Sequence, residues 1–205
     1  MTSSTPATAP PAGEGRTSLA ELALLFGRLG VTAFGGPTVH IALLRAINLG
    51  SHKAVAMADL RELFTDLGLE DVRTLLQTGN VVFRSDARPP ALERLLEKEA
   101  ADRLGLETEF YVRTGAEWQA IVKANPFTKE AKQDPAHLVL TVCKNAPGNT
   151  SKATGVGREV FRASGREVYI VYPDGIGRSR LKLNVVGTGR NWNTVLKLAA
   201  LTKEI

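Results

Sequence analysis

Cysteine is nearly absent: Cys143 is the single thiol in 205 residues, which excludes an intramolecular disulfide framework and fits a reducing, cytoplasmic compartment. Histidine is almost as scarce. The three at positions 40, 52 and 137 are too scattered for metal-ligand spacing, so neither a metal site nor a cofactor is expected. None of them is visibly paired with a serine, a cysteine or a carboxylate, and no catalytic constellation is legible. Long apolar runs are missing too. The longest uncharged stretch lies between Arg28 and Arg45, spans sixteen residues and contains Gly35-Gly36-Pro37. A bilayer span needs about 20 apolar residues, so no stable membrane insertion is expected.

What is present is 43% hydrophobic residues, enough for a sizeable core, and a modest excess of positive charge. That excess is local. From Lys144 onward there are eleven basic and four acidic residues, a net +7, against −2 over the first 143. An anionic partner should therefore meet the C-terminal part.

After Met1, residues 2–15 are Ser, Thr, Ala, Pro and Gly with one Glu, a composition that cannot bury enough apolar area to offset ordering, and residues 1–16 read as a disordered tail. Ser18 followed by Glu21 forms a capping-box pattern before Leu19, Leu22, Leu25, Phe26 and Leu29, predicting an amphipathic helix over 18–34. From His40 strands and helices alternate. A strand over 40–46, a helix over 57–69, a hairpin around Gln77-Thr78-Gly79-Asn80, a helix opening at Pro89-Pro90 and a strand over 109–113 give the order β-α-β-β-α-β. Glu93, Glu97 and Glu99 are expected on the solvated face of that second helix. Thr114 caps a further helix, strands follow at 137–144, 158–163 and 166–172, and a terminal helix runs from Asn191 to about Thr202.

The expected fold is α+β: two ferredoxin-like subdomains of β-α-β-β-α-β type, 39–114 and 115–205, packed into one globule, with an extra N-terminal helix in an appended segment, 17–38.

Two loops suggest chemistry. In Pro173-Asp174-Gly175-Ile176-Gly177-Arg178-Ser179-Arg180, glycines allow backbone N–H groups to approach a ligand and two arginines add charge. Ser179 is expected to open a short helix, which would place an anion at its N-terminus. The same residues are equally an ordinary turn after a strand. Arg190-Asn191-Trp192-Asn193-Thr194 repeats the logic, with Asn191 as cap, Arg190 beside it, and Trp192 either an aromatic face for a ligand or core. Were the two helix starts side by side, Arg178, Arg180 and Arg190 would converge on one anion. The candidate ligand-binding set is Arg178, Ser179, Arg180, Arg190 and Asn191, and the candidate partner a phosphorylated small molecule or a nucleic acid. An enzyme of unrecognised reaction type is the alternative.

Three separated stretches, Ile41 to Gly50, Gln77 to Phe83, and Tyr172 to Ser179 with Thr188 to Thr194, each end an apolar run in Gly, Asn and Arg. In that order and spacing the chain resembles the domain of unknown function 1697 family over about residues 39–205. The resemblance implies a two-part α/β globule and marks Arg45, Asn48, Gly50, Gln77, Gly79, Asn80 and Trp192 as signature positions. It departs from the family pattern at Ala46 and Ser51, where glycine is usual. A shorter segment, about 17–41 with its Phe34-Gly35-Gly36-Pro37 turn, resembles the start of chromate ion transporters; alone it carries no transport path.

Overall fold

The computed structural model describes residues 36–45, 56–76, 79–148 and 153–205. The tail, the helix expected over 18–34, and the signature residues Asn48, Gly50 and Gln77 lie outside them. Gly35–Ile205 forms one compact unit.

Its architecture is α+β with two four-stranded antiparallel sheets. The first is built from β1 (Thr38–Leu44), β2 (Glu70–Leu75), β3 (Asn80–Ser85) and β4 (Phe110–Thr114), in the order β2-β3-β1-β4. Helix α1 (Met57–Asp66) links β1 to β2, and α2 (Pro89–Leu104) links β3 to β4. Both helices form where the sequence asks for them. Pro89 and Pro90 sit in the first turn of α2, where their missing donors cost nothing, and Gly105 closes it at φ 62°.

The strands alternate in what they bury. Ile41, Leu43, Val82 and Tyr111 face one interior, while Phe83 and Phe110 meet Phe64 of α1 on the other side, with ring centroids 5.2 and 6.1 Å from it.

The second half opens with α3 (Gly115–Lys123), whose expected cap is present: the Thr114 hydroxyl accepts from Glu117 N while Glu117 accepts from Thr114 N. A short α4 (Thr128–Gln133) follows, then β5 (Leu138–Cys143), β6 (Val160–Ser164), β7 (Glu167–Val171), β8 (Gly187–Asn191) and α5 (Trp192–Leu201). The strand order, β6-β7-β5-β8, repeats that of the first sheet position by position. The helices do not. They flank the strands, and among the described residues the β5–β6 and β7–β8 connections hold only a single 3-10 turn, Ile176–Arg178. The expected helix after Ser179 is therefore absent. Ser179 is extended at ψ 141°, and Lys182 exchanges backbone hydrogen bonds with Thr154, which commits this segment to a bridge.

The two sheets share one core. Leu138, Leu140, Val142 and Tyr169 from the second sheet join Ile41, Leu43 and Tyr111 from the first, and Trp118, Val195 and Leu198 of the flanking helices fill in around them. The other face of the second sheet, with Val139, Val168 and Ile170, is covered by Leu181, Leu183 and Val185 of the β7–β8 connection.

The glutamates of α2 correct an expectation. Glu93 and Glu99 are buried. β4 is an edge strand, and its outward N–H groups need acceptors. Val112 N donates to Glu93 Oε1 and Phe110 N to Glu97 Oε1, both at 2.9 Å, while Glu99 binds Arg103 Nε at 2.8 Å. Burial raises the Glu93 pKa above the usual carboxylate value. The folded state thus gains relative stability below the unfolded-state pKa and loses it as pH rises through the folded one. Glu93→Gln keeps an acceptor for Val112 N and removes the charge. We expect thermal unfolding to show the variant more stable than the native protein at pH 7, with the advantage fading towards about pH 3.5, below the unfolded carboxyl pKa.

Candidate functional site

Three polar places stand out, and the expected site residues are divided among them.

The first joins the two sheets. Arg190, on β8, is buried, and its side chain reaches the end of β1 and the start of β3. Its Nε donates to Asn80 Oδ1 at 2.5 Å, Nη1 to Thr188 Oγ1 and Gly189 O at 2.8 Å each, and Nη2 to Leu44 O at 2.8 Å. Thr188 Oγ1 also donates to Leu44 O, and Asn80 Nδ2 to Leu75 O at 3.0 Å. Burial lowers the Arg190 pKa to about 10, which still leaves the guanidinium charged at neutral pH. Gly79, at φ 67°, donates no side chain to this place because a Cβ there would collide with Leu44. Arg190 thus does not project beside a helix start, and it does not line the pocket that holds Arg178 and Arg180.

Asn191 does cap α5, its Oδ1 accepting from Thr194 N at 2.9 Å, and Trp192 lies in the core 6.2 Å from the Tyr169 ring. Among the signature positions, Asn80 carries a defined polar role.

The second place is a cleft of about 290 Å³ lined by Glu109, Tyr111, Cys143, Lys144 and Asn184 among others. Its charges are already engaged. Arg45 Nη1 and the Tyr111 hydroxyl both bond Glu109 Oε2, at 2.5 and 3.0 Å, and Lys144 bonds Glu97 while lying over the Tyr111 ring. Burial raises the Cys143 pKa, leaving a protonated, poorly nucleophilic thiol.

The third is a pocket of about 430 Å³ between two loops, Gly155 to Glu159 before β6 and Gly175 to Arg180 after β7. Gly155 (φ 65°) lies so close to the Arg180 backbone that a Cβ there would collide with its carbonyl. Exposed Arg158 pairs with Asp174 at 2.8 Å. Arg178 and Arg180 are exposed on the pocket wall, and their side chains make no hydrogen bond or ion pair among the described residues. Ser179 Oγ donates to Glu159 Oε1, and Glu159 Oε2 accepts from Gly157 N at 2.7 Å. Glu159, Arg158 and Gly157 were missed as site residues. A signal for them exists: Gly155-Val-Gly-Arg158 and Gly175-Ile-Gly-Arg178 share a Gly-aliphatic-Gly-Arg pattern, and the glycine and arginine ends of both line the pocket.

A histidine is also paired after all. His137 Nδ1 lies 2.6 Å from Asp134 Oδ2, an exposed contact three residues apart. Among the described residues no group of three His, Cys, Asp or Glu could hold a metal ion, and no helix is long and apolar enough to cross a membrane.

Removing the Arg190 guanidinium takes one charged donor away from each of Asn80 Oδ1, Leu44 O, Thr188 Oγ1 and Gly189 O. By denaturant unfolding, Arg190→Ala should lose about 1.5–3 kcal/mol, the scale of hydrogen bonds made by a charged group. Arg190→Lys should recover little of it, because one ammonium cannot reproduce the fork. A native-like Arg190→Lys would contradict this role.

Residues 38–169 match the model of the family described as "Protein of unknown function (DUF1697)", so Arg178, Arg190 and Trp192 fall beyond the matched span. None of the curated proteins matches this chain. Its fold is similar to that of the conserved bacterial protein SP0830 from Streptococcus pneumoniae, with TM-score 0.65 and 20% identity over 80% of this chain and 98% of that one.

Proposed function

Because the chain belongs to the DUF1697 family, described as of unknown function, we propose a function from the chemistry of the site: an anion-binding protein that takes a phosphorylated small molecule or a nucleic acid between the Gly155 and Gly175 loops. One observation carries this reading. Arg178 and Arg180 stand exposed on the wall of a pocket of about 430 Å³, without a protein acceptor among the described residues. A guanidinium with no partner beside glycine backbone is a ready receptor for phosphate oxygens. The net +7 after residue 143 supports the same sign of ligand. Cytoplasmic residence, supported by the single buried thiol Cys143, belongs to the same reading.

The element order and strand order of the first sheet further support a ferredoxin-like unit at 39–114. The matching strand order of the second sheet supports a related unit at 115–205, with no α-helix in its inner connections among the described residues.

Calorimetry with inorganic phosphate and a short oligonucleotide tests the binding reading. Replacing Arg178 and Arg180 together by Ala should weaken binding by about 1.5–3 kcal/mol per lost charge-assisted contact. Replacing Arg94 and Arg103 on α2 should leave binding unchanged, and oligonucleotide binding should fall steeply with salt. Equal losses from both pairs would point to diffuse electrostatics, and no binding of either probe would refute the site.

A further inference from the structure

The two loops of the pocket share the pattern Gly-aliphatic-Gly-Arg, Gly155-Val156-Gly157-Arg158 before Glu159 and Gly175-Ile176-Gly177-Arg178 before Ser179. Their fifth positions meet, Ser179 Oγ donating to Glu159 Oε1. Glu159 Oε2 takes the Gly157 backbone N–H at 2.7 Å, and Ser179 Oγ itself accepts from Leu181 N at 3.0 Å. The hydroxyl of Ser179, ahead of the backbone N–H groups, holds the Glu159 carboxyl below the usual range, so it is an anion at neutral pH. A hydroxyl and a backbone N–H beside two unengaged arginines are the donors an oxyanion would use. They are occupied by the protein's own carboxylate.

Resting on the anion-binding reading, we propose that the ligand is a phosphate monoester with an apolar or ring-bearing body, and that it binds by displacing Glu159 from this cradle. A ligand must outcompete a resident monoanion. A phosphodiester also carries one charge and exchanges on even terms. A monoester carries about −1.5 to −2 at pH 7 and three strong acceptor oxygens. It can therefore take the Ser179 and Gly157 donors and engage Arg178 and Arg180 together. Arg158, tied to Asp174, is less available.

The loop tips bear on the body of the ligand. Val156 and Ile176 are 52% and 63% exposed, one on each loop, and Val156 lines the pocket with Tyr172. An exposed apolar side chain, Val156, lining a charged cradle beside Tyr172 suits a ligand whose phosphate goes in and whose body rests against them. A pocket of about 430 Å³ holds a molecule of mononucleotide size.

The test is calorimetry on the full chain with a nucleoside monophosphate and with a dinucleoside phosphate that lacks a terminal phosphate. We expect the monoester to bind at least about tenfold tighter than the diester, the lower end of what one charge-assisted hydrogen bond supplies. Its affinity should rise between about pH 5 and pH 7, through its second ionisation near 6. Glu159→Gln should bind both probes several-fold tighter than the native protein, because a neutral amide is easier to displace.

Equal binding of the two probes, or affinities indifferent to Glu159→Gln, would overturn the monoester assignment while leaving anion binding intact. Monoester binding that survives replacement of both Arg178 and Arg180 by Ala would instead overturn the location of the site, and no binding of either probe would overturn both.

Discussion

A buried guanidinium must be given acceptors on every side, and meeting that demand at Arg190 ties the molecule together. Taking an ion out of water costs several kcal/mol even after relaxation. Arg190 recovers this from oxygens supplied by three strands of two sheets: Leu44 at the end of β1, Asn80 at the start of β3, and Thr188 and Gly189 on β8. Hydrophobic burial between the sheets is non-directional and would tolerate sliding. The fork of Arg190 does not, since moving either sheet by a few ångströms would strand a charge. Arg113 makes a second such tie, from β4 to Glu167 Oε1 at 3.0 Å and to Cys143 O at 2.6 Å. Here a carboxylate shares the charge, so the two ties are chemically distinct.

With the sheets fixed on their shared face, their outer faces differ. The first sheet is closed by α1 and α2. The second has no helix in either inner connection among the described residues, and the segment carrying Leu181, Leu183 and Val185 lies over Val139, Val168 and Ile170 instead. Loops that must both cover a sheet and leave it again approach each other closely. The Thr154–Lys182 bridge and the contact of Gly155 with the Arg180 backbone record that approach. The pocket between the Gly155 and Gly175 loops lies where they approach.

Much of this was legible in the sequence where local chemistry decides it. The proline start of α2, the Thr114 capping box, the Asn191 cap and the short unbroken apolar runs of β1 and β3 need no distant partner. β8 was not legible. Its Gly187-Thr-Gly-Arg-Asn191 has weak strand preference, and it is a strand because β5 pairs with it. A Cβ at Gly187 would come within 2.5 Å of Val142 O, so the pairing itself selects glycine. The buried glutamates of α2 were hidden for a related reason: what buries Glu93 is an edge strand about twenty residues on that lacks acceptors. Arg178 and Arg180 stand on the same glycine loop and line one pocket. Arg190 was drawn to them by the likeness of its motif, whereas long-range packing sends its side chain to Asn80.

The central claim is that Arg190 and Asn80 act as one unit across the sheets. A double-mutant cycle of Asn80→Ala and Arg190→Ala, followed by denaturant unfolding, measures that directly. The account predicts a double variant more stable than the sum of the single losses implies, with a coupling energy above about 1 kcal/mol, within the range for residues sharing a buried network. Additivity within about 0.3–0.5 kcal/mol, as found for independent sites, would contradict it.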